Sequence, residues 1–158
     1  MKLTTKGRYG LRAVIDLALH ENEEAVALSQ IAERQGISMN YLEQLIAKLK
    51  KAGIVNSTRG AQGGYKLAVK AEQISIGDIL RALEGDLSPV DCSEITGAEG
   101  TAGCINSDSC VTKYVWKRIS DSINEAVDGI MLSELVDESR KIQTSTDSNS
   151  KVKYTCGK

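Results

Sequence analysis

The sequence predicts a mainly α-helical protein with a small β-wing. Three observations predict this fold class: two short helical segments separated by a glycine, a glycine-rich hairpin directly after them, and one long amphipathic segment near the end of the chain. The hairpin, residues 57–67, reads STRGAQGGYKL. Glycines allow a hairpin tip to adopt positive φ and bring its backbone close to a ligand. Together these features indicate a winged helix-turn-helix domain followed by a long helix.

The first two helices are predicted from apolar spacing and capping residues. Residues 7–20 form a helix with a broad apolar face, and Glu21 and the polar residues after it end that helix. Ser29 is the expected N-cap of a second, short helix that ends at Gln35. Gly36 then supplies the turn.

The third helix has the clearest periodicity of the chain and runs from Ser38 or Asn40 to about Ala52. Its apolar residues are spaced i, i+3, i+4, i+7 and form one stripe, consisting of Leu42, Leu45, Ile46 and Leu49. The opposite face has hydrogen-bonding side chains first and lysines last, as in a recognition helix of a DNA-binding protein. We expect Ser38, Asn40, Tyr41, Glu43 and Gln44 to lie in the major groove, and Lys48 and Lys51 to contact phosphates.

The wing is predicted to consist of strands 54–57 and 65–68, joined by the glycine-rich tip. An arginine at such a tip can reach a phosphate or the minor groove. The expected DNA contacts of the wing are Arg59, Gly60, Gln62, Gly64 and Tyr65.

Charge is distributed unevenly along the chain. Residues 1–70 have 11 lysines and arginines against 6 acidic residues, whereas residues 71–158 have 9 against 15. The basic half is the half with the wing, and a local positive field favours phosphate binding. The sequence has one histidine, no nucleophile elbow and no Walker-type loop, which argues against an enzyme. It also has no long apolar run and no apolar segment typical of a secretory signal, so we expect a cytoplasmic protein without a membrane span.

The second half of the chain is predicted to contain a helix over 74–83, a loop over 87–109, a long helix over 111–130 and a short closing helix over 131–136. The apolar stripe of the long helix is expected to pair with a second copy, because a two-fold dimer matches a palindromic operator. Packing within one chain is the alternative. The expected organisation is a DNA-binding domain at 1–83, a cysteine-bearing sensor loop at 84–110, dimerisation and closing helices at 111–137, and a polar, disordered tail at 138–158.

Four segments resemble the IscR-like winged helix-turn-helix transcriptional regulators, a family that includes the nitric oxide sensor NsrR and the cysteine regulator CymR. The segments are 2–11 (KLTTKGRYGL), 31–38 (IAERQGIS), 41–45 (YLEQL) and 59–65 (RGAQGGY). The resemblance extends over about residues 1–137. It implies a homodimeric repressor that regulates iron-sulfur cluster assembly or cysteine and sulfur metabolism genes.

The resemblance also implies an iron-sulfur cluster held by Cys92, Cys104 and Cys110, with [2Fe-2S] favoured over [4Fe-4S]. One departure is clear: the histidine that the family has three residues after the last cysteine is Lys113 here, and a protonated lysine offers no lone pair to iron. The only histidine, His20, is expected to have a polar role at a helix end. The fourth ligand therefore stays open between the other subunit, a labile site and a residue of this chain, with Asp91, Glu94, Asp108 and Cys156 as candidates.

Two other uses of these cysteines are compatible with the residues alone. Three thiolates and one further ligand also suit zinc. Thiols can act as a redox switch without a metal. A regulator can instead sense through a protein partner of sulfur metabolism, as the resemblance to CymR allows.

Overall fold

The computed structural model describes residues 4–20, 25–60, 63–90 and 109–146. Eight helices and strands follow in chain order, with a 3₁₀ turn at Ala71–Gln73 before the fourth helix. They are α1 (Thr5–Leu19), α2 (Leu28–Gln35), α3 (Met39–Lys51), β1 (Val55–Thr58), β2 (Gly64–Leu67), α4 (Ile76–Glu84), α5 (Thr112–Asp128) and α6 (Leu132–Thr146). The mainly helical fold with a two-stranded wing is confirmed.

The hydrophobic core lies between α1, α2, α3 and α4. The predicted stripe of α3 is buried, since Leu42, Leu45, Ile46 and Leu49 are each at most 1% exposed. Gly10 of α1 allows the close approach of α4, because a Cβ atom at this position would lie 2.3 Å from a methyl carbon of Leu83. The core fixes the orientation of α3 and leaves its polar face outside.

The turn between α2 and α3 is made by Gly36, as predicted. Its φ of 63° lies in the left-handed region, where glycine is favoured. The N–H of Ile37 donates to the carbonyl of Ala32, and the N–H of Gly36 donates to that of Glu33, a Schellman arrangement that closes the helix end. The turn is therefore specified by the backbone and sets the angle between the two helices.

A buried carboxylate fastens α1 to α2. Asp16 is 3% exposed and accepts hydrogen bonds from both Arg34, at 2.5 to 3.2 Å, and the side chain of Gln35, at 2.9 Å. His20 ends α1, and its Nδ1 lies 2.7 Å from the Asp16 carbonyl oxygen. The polar helix-end role predicted for His20 is confirmed. A buried charge needs such partners, so this group holds the first two helices in one register.

The wing is tied to the domain by a third segment. The strands β1 and β2 are antiparallel, with Val55 opposite Leu67 and Thr58 opposite Gly64. Val26, just before α2, forms an isolated bridge with Tyr65 through two backbone hydrogen bonds of 2.9 and 3.0 Å. This bridge also explains why α2 begins at Leu28: its N-cap is Ala27, and the expected N-cap role of Ser29 is wrong because Val26 is already fixed against the wing.

The segment that joins α5 to α6 is hydrogen-bonded to the backbone at the start of α4. The N–H of Ile76 donates to the carbonyl of Ile130, and the N–H of Leu132 donates to that of Ile74, both at 2.9 Å. Arg81 of α4 pairs with Asp128 and donates to Asn124 of α5 at 3.1 Å. These contacts join α5 to α4.

The closing helix is longer than predicted. It runs from Leu132 to Thr146, so the polar tail expected from residue 138 begins as helix, and residues 147–158 lie outside the described part of the chain. Among the described residues, no helix is long and apolar enough to cross a bilayer.

Candidate nucleic-acid interface and sensor loop

The polar face of α3 is exposed. Ser38 is the N-cap residue of α3 and its side chain forms no capping hydrogen bond. Asn40, Glu43, Gln44 and Lys51 are exposed, as is Ser38 itself. Because the opposite face is buried in the core, these side chains form the outer ridge of the helix. A ridge of this width and polarity can enter a major groove.

Tyr41 differs from the other residues that we predicted to lie in the groove. It is half-buried, and its ring packs edge-on against Tyr9 of α1, with centroids 6.1 Å apart and planes at 88°. Its hydroxyl donates to the Thr5 hydroxyl oxygen at 3.2 Å. Tyr41 therefore links the start of α3 to the start of α1.

The lysines of α3 connect it to its neighbours on both sides. Lys48 donates to the backbone carbonyl of Leu83 at 2.8 Å, so it is engaged with the last turn of α4. Lys50 donates to the Ser57 hydroxyl of the wing at 2.6 Å. The sequence had suggested Lys48 only as a phosphate contact and gave no role to Lys50. Both partners come from the tertiary fold, which the helical spacing does not reveal.

The wing tip is exposed at Arg59 and Gly60. Gly60 has a φ of 124°, and its carbonyl accepts the N–H of Gly63 at 2.9 Å. A residue with a Cβ atom would be strained at Gly60. Gln62, another wing residue predicted to contact DNA, lies outside the described residues.

Gly64 and Tyr65 have a structural role that the sequence did not reveal. A Cβ atom on Gly64 would come within 2.5 Å of the Val26 carbonyl oxygen, so only glycine fits beside this bridge. Tyr65 is half-buried against the core. These two residues fix the root of the wing.

Three elements meet at the last turn of α4, where the predicted sensor loop begins. Glu84 accepts the backbone N–H groups of Thr4 and Gly7, each at 2.8 Å, and the Thr4 hydroxyl. Partial burial of Glu84 opposes its ionisation, but the hydrogen bonds from Thr4 and Gly7 and the charge of Lys6 hold its pKa below the ordinary value. With Lys48 bound to the Leu83 carbonyl, this turn contacts both α1 and α3.

Cys110 is the one predicted cluster ligand among the described residues; Cys92 and Cys104 lie outside them, as do the candidates Asp91, Glu94, Asp108 and Cys156. It is half-exposed just before α5, with its sulfur 3.1 Å from the Thr112 hydroxyl. That hydroxyl, the N–H groups of Lys113 and Thr112, and the charge of Lys113 lower the pKa of the thiol. Within the described ranges, no three acidic, histidine or cysteine side chains converge as a metal site.

The apolar residues of α5 are divided between two faces. Ile123 and Val127 pack against the core. Val115 is 56% exposed and Ile119 38%, and these two line a shallow groove with Arg118, Ser122, Ile123 and Ala126. In the single chain this groove faces solvent.

The helix-turn-helix, the exposed polar face of α3 and the anchored wing define a winged-helix DNA-binding protein. The chain belongs to the Rrf2 family, described as iron-dependent transcriptional regulators, whose match covers residues 3–138. It is therefore a transcriptional regulator and not an enzyme.

Individual relatives narrow this resemblance to IscR-like regulators. The transcriptional regulator IscR of Aliivibrio salmonicida is 42% identical over 149 residues, which are 94% of this chain and 85% of that protein. Among solved structures, IscR of T. potens is 42% identical with a TM-score of 0.67, covering 98% of this chain and 95% of its own. CymR, the global cysteine regulator of B. subtilis, is 38% identical with a TM-score of 0.70, covering 87% and 98%.

Proposed function

We propose that this regulator is a cytoplasmic homodimer that binds a palindromic operator as a repressor and is controlled by an iron-sulfur cluster. Cys92, Cys104 and Cys110 are the proposed ligands, and [2Fe-2S] is favoured over [4Fe-4S]. The proposed targets are genes of iron-sulfur cluster assembly or of cysteine and sulfur metabolism. The observation that carries the proposal is that the winged helix is followed in sequence by a segment between α4 and α5 that contains Cys92 and Cys104 and ends at Cys110.

Dimerisation is supported by the outer face of α5. A helix of 17 residues is about 25 Å long, and its exposed residues include Val115 and Ile119 beside the apolar groove. Burial of such a face against a second copy removes apolar surface from water. A two-fold axis that relates two packed copies of α5 would present two recognition helices to two half-sites.

Cluster binding is supported by the chemistry of Cys110. Its sulfur is accessible and its pKa is lowered, so the thiolate that iron requires is favoured at this position. A bound cluster would supply one-electron redox chemistry, or an iron whose exchangeable ligand a small molecule can displace. Lys113 does not fit as the fourth ligand, because a protonated lysine offers no lone pair to iron.

Two residues that precede the predicted loop cysteines, Arg81 and Ser88, connect this part of the chain to α5. Ser88 lies beside Ser120 of α5, with hydroxyl oxygens 3.4 Å apart, and Arg81 joins α4 to Asp128. Three thiolates held at one centre would fasten the loop to the start of α5. Their release would allow the α5 pair to shift and change the separation of the two recognition helices. Half-sites on one face of DNA lie about 34–36 Å apart, so a shift of a few ångströms alters binding.

The experiment is purification without oxygen, followed by visible absorbance and by iron and acid-labile sulfide analysis per monomer. We expect a brown protein with equal iron and sulfide, and loss of the colour in Cys92→Ser, Cys104→Ser and Cys110→Ser. Cys156→Ser is the matched control and should retain the colour unless Cys156 is the fourth ligand. Two irons per monomer indicate [2Fe-2S] and four indicate [4Fe-4S]. A triple serine variant that retains the cluster would show that the ligand assignment is wrong.

The lowered pKa of Cys110 also favours a second candidate, a cluster-free thiol switch. A colourless protein that binds DNA, and stays colourless after reconstitution with iron and sulfide, would favour this reading. Thiol titration before and after oxidation would then test the switch, and zinc analysis would test a structural metal.

A further inference from the structure

We propose that Met39, the first residue of α3, contacts the C5-methyl group of a thymine in the major groove and so contributes to operator specificity. Met39 lies between Ser38 and Asn40, both of which we predicted to lie in the groove, but the sequence alone assigns no role to it. This contact rests on the operator binding proposed above, and it names the chemical group that one side chain recognises there.

Met39 is an exception to the burial of apolar side chains in the winged-helix half. The four residues of the apolar stripe of α3 are each at most 1% exposed, whereas Met39 is 39% exposed. In the described ranges up to residue 90, Val69 is the only other large apolar side chain that is exposed, and it lies after β2 and outside α3. The core therefore leaves a substantial part of Met39 available to whatever α3 binds.

Helical spacing places Met39 on one side of α3 together with Glu43, four residues later, and Lys50, eleven residues later. Lys50 donates to a hydroxyl of the wing at 2.6 Å, so this side is directed toward the wing. Tyr41 and Lys48 project from roughly the opposite side, where they contact α1 and α4. Met39 thus lies away from the contacts that α3 makes with those two helices.

The chemistry of Met39 selects its ligand. The N-terminal residues of a recognition helix contact base edges. In the major groove, thymine presents a methyl group that cytosine lacks, and apolar side chains recognise this group. Methionine is unbranched and polarisable, so it adapts to an apolar neighbour and needs no hydrogen bond. A phosphate or a polar base edge gains nothing from such a side chain, whereas a thymine methyl group does.

Glu43 limits where this thymine lies in the half-site. Four residues of helix separate Met39 from Glu43, which corresponds to about 6 Å along the axis of α3. Successive base pairs are about 3.4 Å apart. A carboxylate in the groove can accept a hydrogen bond from the amino group of cytosine. We therefore expect the thymine to lie within about two base pairs of the base pair whose identity depends on Glu43.

The test removes the methyl group from the DNA and the side chain from the protein separately. The full-length wild-type protein selects an operator from a random-sequence duplex library, and each thymine is then replaced by deoxyuridine, which retains every hydrogen-bonding group. At one thymine we expect this replacement to lower wild-type affinity roughly fourfold per half-site, the value of one methyl group removed from water. Met39→Ala should bind the thymine and deoxyuridine operators equally well.

Further variants separate a base contact from a structural role. Met39→Leu retains an apolar side chain and should retain the response to deoxyuridine. Met39→Gln retains the length of the side chain but has a polar end, and should lose the response. Val69→Ala is the matched control, because it removes an exposed apolar side chain outside α3 and should leave the response unchanged. Selection with Glu43→Ala identifies the base pair that Glu43 contacts, and so tests the expected spacing.

A wild-type protein that is indifferent to every deoxyuridine replacement would overturn the proposal, as would a selected operator with no thymine in its half-sites. A Met39→Ala protein that binds more weakly but still responds to the replacement would also overturn it, because Met39 would then act only through the position of α3. If Met39→Ala does not fold, as judged by thermal unfolding, Met39→Gln provides the same comparison. A wild-type protein that selects no sequence would instead refute the proposed operator binding.

Discussion

The winged-helix half and α5 differ in how much of their apolar surface is buried, and how many of their polar groups are paired, within one chain. In the first half the apolar stripe of α3 is buried, the charge of Asp16 is paired, and the wing is bridged to Val26. In α5, by contrast, only Ser120 is fully buried and the apolar groove around Ile119 is open. The difference indicates that the DNA-reading fold is specified within a subunit, and it supports the proposal that a second copy covers the open face of α5.

The largest effect is expected from a charge placed in the open groove of α5, which tests whether a second copy covers this face. Ile119→Glu should weaken the dimer by about 3 kcal/mol, roughly a hundredfold in Kd, because a carboxylate would be desolvated at the interface. Sedimentation equilibrium measures this. Helical spacing places Lys117 on the other side of α5, so Lys117→Glu is the matched control and should leave the dimer intact. A dimer insensitive to Ile119→Glu would mean that the groove faces something else.

The next prediction concerns the self-sufficient half. Asp16→Ala should destabilise the domain by about 3 kcal/mol, because Asp16 is buried and Arg34 and Gln35 lose their shared partner. Chemical denaturation gives the free energy of unfolding. The control is Asp137→Ala on α6, which removes an exposed pair with Arg140 at 3.6 Å and should cost less than about 0.5 kcal/mol. Equal effects at the two positions would show that the α1–α2 network contributes little.

The smallest effect is expected at Glu84, which lies at the end of α4 where the winged-helix half meets the segment that leads to α5. Glu84→Gln should cost about 1–2 kcal/mol, since the neutral amide is a weaker acceptor for Thr4 and Gly7. Because folding lowers the pKa of Glu84, its contribution is fully present above the ordinary glutamate pKa of about 4.3 and is lost as pH falls below it. Wild-type and variant stabilities measured from pH 7 to pH 3 should therefore converge at the acid end. A constant difference would contradict this assignment.

The parts of the fold that were predictable from sequence are those specified by neighbouring residues. The stripe of α3 follows from helical periodicity, and the turn at Gly36 follows from the need for positive φ. The extension of α6 was missed because its second half has few apolar residues. That half instead contains exposed ion pairs at i, i+3, from Asp137 to Arg140 and from Glu138 to Lys141.

The candidate site was predictable in its residue types and less so in their partners. The exposure of Asn40 and Gln44 agrees with the polar face read from the sequence. The contact of Lys48 with Leu83 could not be predicted, because 35 residues separate them and only the packing of α3 on α4 brings them together. We predicted that Gly64 contacts DNA, but the structure gives another reason for a glycine at this position: the backbone of Val26 leaves no room for a Cβ atom.

The anchored root of the sensor loop has a consequence for how such a chain can diversify. Leu87 is 2% exposed and the turn before it is fastened to α1 and α3, while Cys110 lies directly before α5. Residues 91–108 therefore join two fixed attachment points in the sequence. Under the proposed function, insertions or new ligands in this segment would change the signal, while the operator specificity encoded in α3 is inherited unaltered.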